Sequence, residues 1–169
     1  MEYKEISSIA GYEIDLRELL IDSVEDGASI GFVLPIDSAE VDDYWLSVEA
    51  DLREGERRLY VAIEQQHVVG AVQLSLCSKA NGQHRGEVEK LMVKTQQRGK
   101  GISKQLMSMM EHAAKEQGVS LLVLDTRKGD VASSLYQSIG YQQAGEIPQF
   151  ALSSNGTLDG TIYFYKLLG

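Results

Sequence analysis

The segment Leu91-Met92-Val93-Lys94-Thr95-Gln96-Gln97-Arg98-Gly99-Lys100-Gly101-Ile102 runs from an apolar strand through a polar, glycine-punctuated turn directly into an amphipathic helix. The helix follows from Ile102, Leu106, Met109, Met110 and Ala113, which recur on one stripe until Gly118. Glycines in the turn permit close approach by a ligand, and freed backbone N–H groups there sit at the positive end of the helix dipole, with Arg98 and Lys100 alongside. Such a turn suits a pyrophosphate. The same residues also read as a tight turn carrying two solvated cations. A P-loop is excluded because no Gly-Lys-Ser/Thr follows at the required spacing, and the dinucleotide-binding pattern fails because Lys104 stands where its third glycine belongs.

Downstream, Leu121-Leu122-Val123-Leu124 is a short apolar run of the kind found in a strand covered on both faces, and Ala132, Leu135, Tyr136 and Ile139 mark a helix behind it. This strand, helix, strand, helix order places a parallel pair at the sheet centre. Upstream, Leu59–Ile63 and Val68–Leu76 form an antiparallel hairpin about a polar turn at Glu64 to His67. A turn at Asn81-Gly82 then leads into a strand from Glu87 to Val93. The first third is helical after a short leading strand: Ile14, Leu16, Leu19, Leu20, Ile21 and Val24 are periodic and stop before Gly27, and Val41 to Leu52 follows Asp37-Ser38 as a cap. Gly27–Phe32 forms a loop between them, and Thr161–Leu167 reads as the last strand.

With no Gly/Ser or Pro-rich linker, charge block or repeat to divide it, the 169-residue chain reads as one α/β domain over residues 1–169. Its 43% hydrophobic and 24% charged composition is that of an ordinary soluble domain. The formal charge of -9 repels nucleic acid and anionic lipid, so neither is an expected partner, and the basic turn is a local exception. A single cysteine and a start without a basic-then-apolar run make a cytoplasmic location the expectation. No run approaches the ~20 apolar residues of a membrane span.

Gln96-x-x-Gly99-x-Gly101 after a strand resembles the acyl-CoA pyrophosphate signature of the GNAT superfamily of N-acetyltransferases. Ala132-Ser133-Ser134-Leu135-Tyr136-Gln137-Ser138-Ile139-Gly140-Tyr141 resembles the family's second signature, Ala-x-x-Leu-Tyr-x-x-x-Gly-Phe/Tyr. Gly129 departs from the pattern, since many members carry there an asparagine facing the cofactor, and Asp130 is read instead as a helix cap. Within the superfamily, Gly27–Phe32, Gln73–Cys77, Glu87–Val93 and Leu124–Thr126 look like segments of tabtoxin resistance acetyltransferases. The resemblance implies a mixed, centrally splayed sheet of about six or seven strands flanked by helices, with acetyl-CoA as co-substrate and a small-molecule amine, toxin-like or amino-acid-like, as acceptor. It further implies that the backbones of Leu91, Met92 and Val93 pair with the pantetheine arm, and that Gln96 and the run Arg98, Gly99, Lys100, Gly101, Ile102 and Ser103 take the phosphates.

An aliphatic amine with a reference pKa near ~10.4 is protonated at neutral pH, so its attack on a thioester needs a proton acceptor. Parallel pairing of the strands that carry Glu87 and Asp125 would bring both carboxylates to one cleft, and the resemblance assigns the same pair to amine binding and deprotonation. Taken singly, Glu87 reads as a solvated strand residue and Asp125 as a strand-end turn former. Tyr136 shares a helix face with Ala132 and Ile139 and reads as a core aromatic; the family signature makes it the general acid at the departing thiolate. Direct attack needs no covalent enzyme intermediate, which leaves Cys77 as a small strand residue. Phe32, Asp37, Tyr44 and Trp45 belong to the part that walls the acceptor cleft in this architecture, with helix packing the preferred role for Trp45.

Gly27-Ala28-Ser29-Ile30-Gly31 matches the nucleophile-elbow pattern, but Ser29 follows a helix rather than a strand, and the chain order of His84 or His112 and Asp125 is reversed. His67, His84 and His112 are isolated, so no metal motif forms. A non-catalytic acyl-CoA-binding module and acetylation of a protein or peptide amine remain as alternatives. The oligomeric state is not readable.

Overall fold

The computed structural model describes residues 1–169. The elements are β1 (Glu2–Ile6), α1 (Glu13–Glu25), α2 (Ser38–Glu54), β2 (Arg57–Glu64), β3 (His67–Leu76), β4 (Arg85–Val93), α3 (Ile102–Glu116), β5 (Leu121–Arg127), α4 (Ala132–Ser138), β6 (Gln142–Leu152) and β7 (Leu158–Leu167), with a single 3-10 turn at Thr95–Gln97. The strands form one seven-stranded sheet in the order β1-β2-β3-β4-β5-β7-β6. All neighbours are antiparallel except β4 and β5, which pair in parallel only through Arg85 with Leu121, Gly86 with Leu122 and Glu87 with Val123. Past Glu87 the two strands no longer pair with each other, β4 running on beside β3 to Val93 and β5 beside β7 to Arg127, and the sheet opens into the expected splay.

Helices cover both faces. Leu16, Leu19, Leu20 and Val24 of α1 and Val41, Trp45 and Val48 of α2 pack with Leu59, Val61, Val68, Ala71 and Met92 on one face. Ile102, Leu106, Met107 and Met110 of α3 and Tyr136 of α4 pack with Tyr60, Val72, Leu74, Leu122, Leu124 and Phe164 on the other. Two-sided cover explains why β2 and β3 are continuous apolar runs rather than alternating ones. The expected cap of α2 forms, with the Asp37 carboxylate accepting from the Ala39 N–H at 2.9 Å. Gly70 lets α3 approach the sheet closely: a Cβ there would meet Ile102 Cγ2 at 3.1 Å and Leu106 Cδ1 at 3.2 Å.

The structure departs from the sequence reading in identifiable places. Strand β6 was not anticipated; it is an almost wholly exposed edge strand containing Gly145 and Pro148, so neither apolar alternation nor strand propensity marks it. The leading helix buries Leu16, Leu19, Leu20 and Val24, but Ile21 is only half-buried and Ile14 is 71% exposed. Asp130 does not cap α4: the N-cap position is Val131, without a side-chain cap bond, and the Asp130 carboxylate is drawn instead to the Arg127 guanidinium, Nη2 at 2.9 Å and Nε at 3.0 Å. Asp125 lies within β5 rather than at its end, because the strand continues through Thr126 and Arg127 opposite β7.

Leu106 is fully buried at the α3–sheet contact. Leu106→Ala is expected to lower the unfolding free energy by about 2–5 kcal/mol, measured by denaturant titration, because transfer and cavity costs add.

Candidate active site

The site begins with a phase slip in β4. Ala71 of β3 faces Met92 and Gln73 faces Glu89, so Val72 alone stands opposite both Lys90 and Leu91. This is a β-bulge, with Lys90 in the left-handed region at φ 53°. Its effect is to place Glu89 and Lys90 on the same side of the sheet, the side of α2, while Leu91 turns to pack with the α3 core. The sequence carries the mark: apolar positions fall at Val88, then Leu91 and Val93, one residue out of alternation. Local patterning alone marks Glu87–Val93 as a plain strand and gives Lys90 no distinction.

Two cavities meet at the splay. The first, about 590 Å³, is lined by Leu91, Met92 and Val93 of β4, by Gln97, Arg98, Gly99, Gly101, Ile102 and Ser103 of the turn and α3, and by Tyr136 of α4, among others. Beyond Glu87 nothing in the sheet pairs with β4 on the β5 side, so an extended ligand can add there as a strand would. Gly99 and Gly101 have φ of 77° and 78°, a backbone conformation that side chains disfavour, and the space where their Cβ atoms would stand is open. Gly101 is the N-cap of α3, no side chain caps that helix, and no acidic residue lies in its first turn. The free N–H groups of this 15-residue helix therefore face the cavity with the positive dipole end, an arrangement suited to phosphate. Gln96 and Lys100 do not line the cavity, and the Lys100 ammonium donates to the Gln97 side chain at 2.6 Å.

The turn is held from the opposite face of the sheet. Asp22, near the end of α1, accepts from the Thr95 N–H at 2.9 Å and from the Thr95 hydroxyl at 3.0 Å. Arg98 pairs with Asp26 just beyond α1, so its charge is partly offset. Arg127 at the end of β5 donates to the Gly27 carbonyl at 2.8 Å, tying the α1–α2 loop to the far lip of the splay. Asp22, Asp26 and Arg127 were not legible as site residues, because their partners lie 73, 72 and 100 residues away along the chain.

The second cavity, about 400 Å³, is lined by the loop Ala28–Gly31, by Glu87, Glu89 and Lys90 of β4, by Asp125 and Arg127 of β5, by Tyr136, and by Phe150 and Thr161 of the last two strands. The fold thus brings Glu87, Asp125 and Tyr136 to one cleft, with Tyr136 lining both cavities. Asp125 accepts from the buried Thr161 hydroxyl at 2.7 Å. Burial, reinforced by the charges of Glu89 and Asp125, pushes the Glu87 carboxyl above its ordinary value. Burial, with a further contribution from Asp125, pushes the Tyr136 phenol up to about 12. Tyr136 also packs against the rings of Tyr141 and Phe164, so the core-aromatic reading and its presence in the cleft both hold.

Below the bulge lies a polar network. Arg57 donates to Glu89 at 2.7 Å and to the fully buried Gln73 at 2.9 Å, and Gln73 donates to the Tyr44 hydroxyl at 3.0 Å. Phe32 meets Tyr44 edge-on, with centroids 5.5 Å apart, and Trp45 is 3% exposed in the helix core. Asp37 serves as the cap of α2.

A family model described as the acetyltransferase (GNAT) family matches residues 16–141, and the chain belongs to that family. Its sheet and helices overlay on the ribosomal-protein-alanine N-acetyltransferase of Brucella melitensis, with a TM-score of 0.81, 22% identity, and 99% and 100% of the two chains covered. A protein from Salmonella typhimurium, solved with its cofactor acetyl-CoA, is similar at a TM-score of 0.80 and 20% identity, covering 99% of this chain and 94% of that one. In sequence, the L-methionine sulfoximine/L-methionine sulfone acetyltransferase of Pseudomonas aeruginosa is 34% identical over 79 residues, 46% of each chain. The curated relatives that this chain matches align over less than half of their own length.

The Asp22 clamp orders the turn that precedes α3. Asp22→Ala leaves both Thr95 donors without their acceptor and is expected to weaken acetyl-CoA binding about 10-fold, read by calorimetry, since charge-assisted hydrogen bonds of this kind are each worth ~1.5–3 kcal/mol before the turn relaxes.

Proposed function

We propose that this protein transfers acetyl from acetyl-CoA directly to the primary amine of a small molecule, and the observation that carries the proposal is Tyr136 at the junction of the two cavities. The splayed strands then hold the donor: main-chain groups of Leu91, Met92 and Val93 receive the pantetheine arm, and the Gly99–Ser103 turn with the α3 N-terminus receives the diphosphate. The acceptor enters from the other cavity, whose volume of about 400 Å³ suits a small molecule better than a folded protein surface.

Chemistry at the junction follows from the side chains present. Glu87 and Asp125 attract the ammonium and take its proton. The freed nitrogen lone pair then forms the N–C bond at the acetyl carbonyl as the C–S bond breaks, and the second ammonium proton leaves the new amide nitrogen to replace the one that Tyr136 gives up. Tyr136, protonated across the physiological range because its pKa is raised to about 12, donates its proton to the departing thiolate. The amino-acid substrate named for the Pseudomonas relative supports an amino-acid-like acceptor, and the resemblance of Gly27–Phe32, Gln73–Cys77, Glu87–Val93 and Leu124–Thr126 to tabtoxin resistance acetyltransferases supports a toxin of similar chemistry. Lys100, bonded to the Gln97 side chain, stays in the proposal as a residue that steadies the phosphate turn from outside the cavity, whereas Gln96 is exposed and makes no such bond.

Tyr136→Phe is expected to lower kcat by about 10- to 100-fold with little change in acetyl-CoA affinity, measured by thiol release and calorimetry. The Glu87 assignment has a pH signature. Because its pKa is raised, the carboxylate form is lost on acidification at a higher pH than for an ordinary glutamate, so wild-type kcat/KM falls on that limb. Glu87→Gln is expected to show its largest deficit near neutrality, shrinking as pH rises toward the amine's own pKa of ~10, where free amine no longer needs a base. A deficit independent of pH overturns the base role.

A further inference from the structure

We infer that the acceptor carries a carboxylate as well as an amine, and that Lys90 is the residue that binds this carboxylate. The inference deepens the proposed acetyl transfer and rests on it. It comes from the charges that remain in the acceptor cleft once internal pairs are set aside. Glu89 is taken by Arg57 at 2.7 Å, and Asp130 by Arg127 at 2.9 Å. Left over without a contact ion pair are Glu87 and Asp125 on one side and Lys90 on the other, whose ammonium feels these two carboxylates and Glu89 only at longer range. A zwitterionic amine matches that remainder, with its ammonium toward Glu87 and Asp125 and its anionic group toward Lys90.

The placement of Lys90 is built rather than incidental. The β4 bulge turns it onto the acceptor side of the sheet, and its backbone holds a φ of 53° to do so. Its Nζ lies 5.3 Å from the centroid of the Tyr44 ring, and the Tyr44 hydroxyl is fixed by Gln73 and through it by Arg57. The position where a Gly31 Cβ would stand is 3.7 Å from Nζ, so the loop over the cleft passes close to the ammonium. An aromatic face stabilises a cation without neutralising it. The ammonium, partly withdrawn from water, therefore keeps its donors for an incoming anion.

Thiol release is measured on matched sets: L-methionine sulfone, its carboxamide and its decarboxylated amine, with the same three forms of L-lysine and L-glutamine. The carboxylate member of a productive set is expected to exceed its carboxamide and amine by about 10- to 100-fold in kcat/KM, the worth of one charge-assisted contact. Lys90→Met is expected to collapse that ratio by raising KM for the carboxylate member, and Lys90→Arg to restore most of it. Methionine is no more strained than lysine at this φ, and a melting curve on each variant confirms folding. Equal or better turnover of the carboxamides and amines, or a Lys90→Met loss shared equally by all three forms, overturns the assignment while leaving acetyl transfer intact. Absence of turnover with every amine, despite acetyl-CoA binding, overturns the catalytic reading itself and this inference with it.

Discussion

The pairing between β4 and β5 stops after Glu87 and Val123, and the site depends on that early end. Two neighbouring parallel strands at the centre of a sheet would ordinarily satisfy one another along their whole length. Here the edges beyond Glu87 are left open within the sheet, which is costly unless something else completes their hydrogen bonds. In the proposed complex an extended ligand arm would do so, gripped by the main chain of β4. The bulge at Lys90 belongs to the same solution, since it sends one side chain toward the acceptor and the next toward the α3 core.

The two cavities draw on different parts of the molecule. Backbone amides at a glycine turn and a helix start suit a diphosphate whatever lies beyond it. Acidic and basic side chains from β4 and β5, roofed by the α1–α2 loop, line the other cavity with charge of both signs. Tyr136 touches both, and burial pushes its phenol further above neutrality than an exposed tyrosine's.

Much of this was legible along the chain. The strand-turn-helix at Leu91–Ile102, the hairpin before it and the buried run at Leu121–Leu124 all carry strong local periodicity, and Glu87, Asp125 and Tyr136 do reach one cleft. What stayed hidden has physical reasons. Strand β6 is solvent-exposed and carries Pro148 where its pairing with β7 slips, so no hydrophobic pattern announces it. Asp130 has the composition of a helix cap but lies beside a guanidinium, and the ion pair wins. Arg98 looked like a free phosphate ligand, yet an aspartate 72 residues earlier in the chain meets it. Lys90 was visible only as a slip in alternation, a signal that matters once the opposite strand is known to pair without one.

The Asp22–Thr95 contact has a mechanical meaning. Helix α1 lies on the opposite face of the sheet from α3, yet its carboxylate fixes the turn from which α3 springs. The loop that roofs one cavity leaves from the end of that same helix, at Gly27, where Arg127 fastens it. A displacement of α1 would therefore strain both anchorages together, so one helix ties the walls of the two cavities to each other.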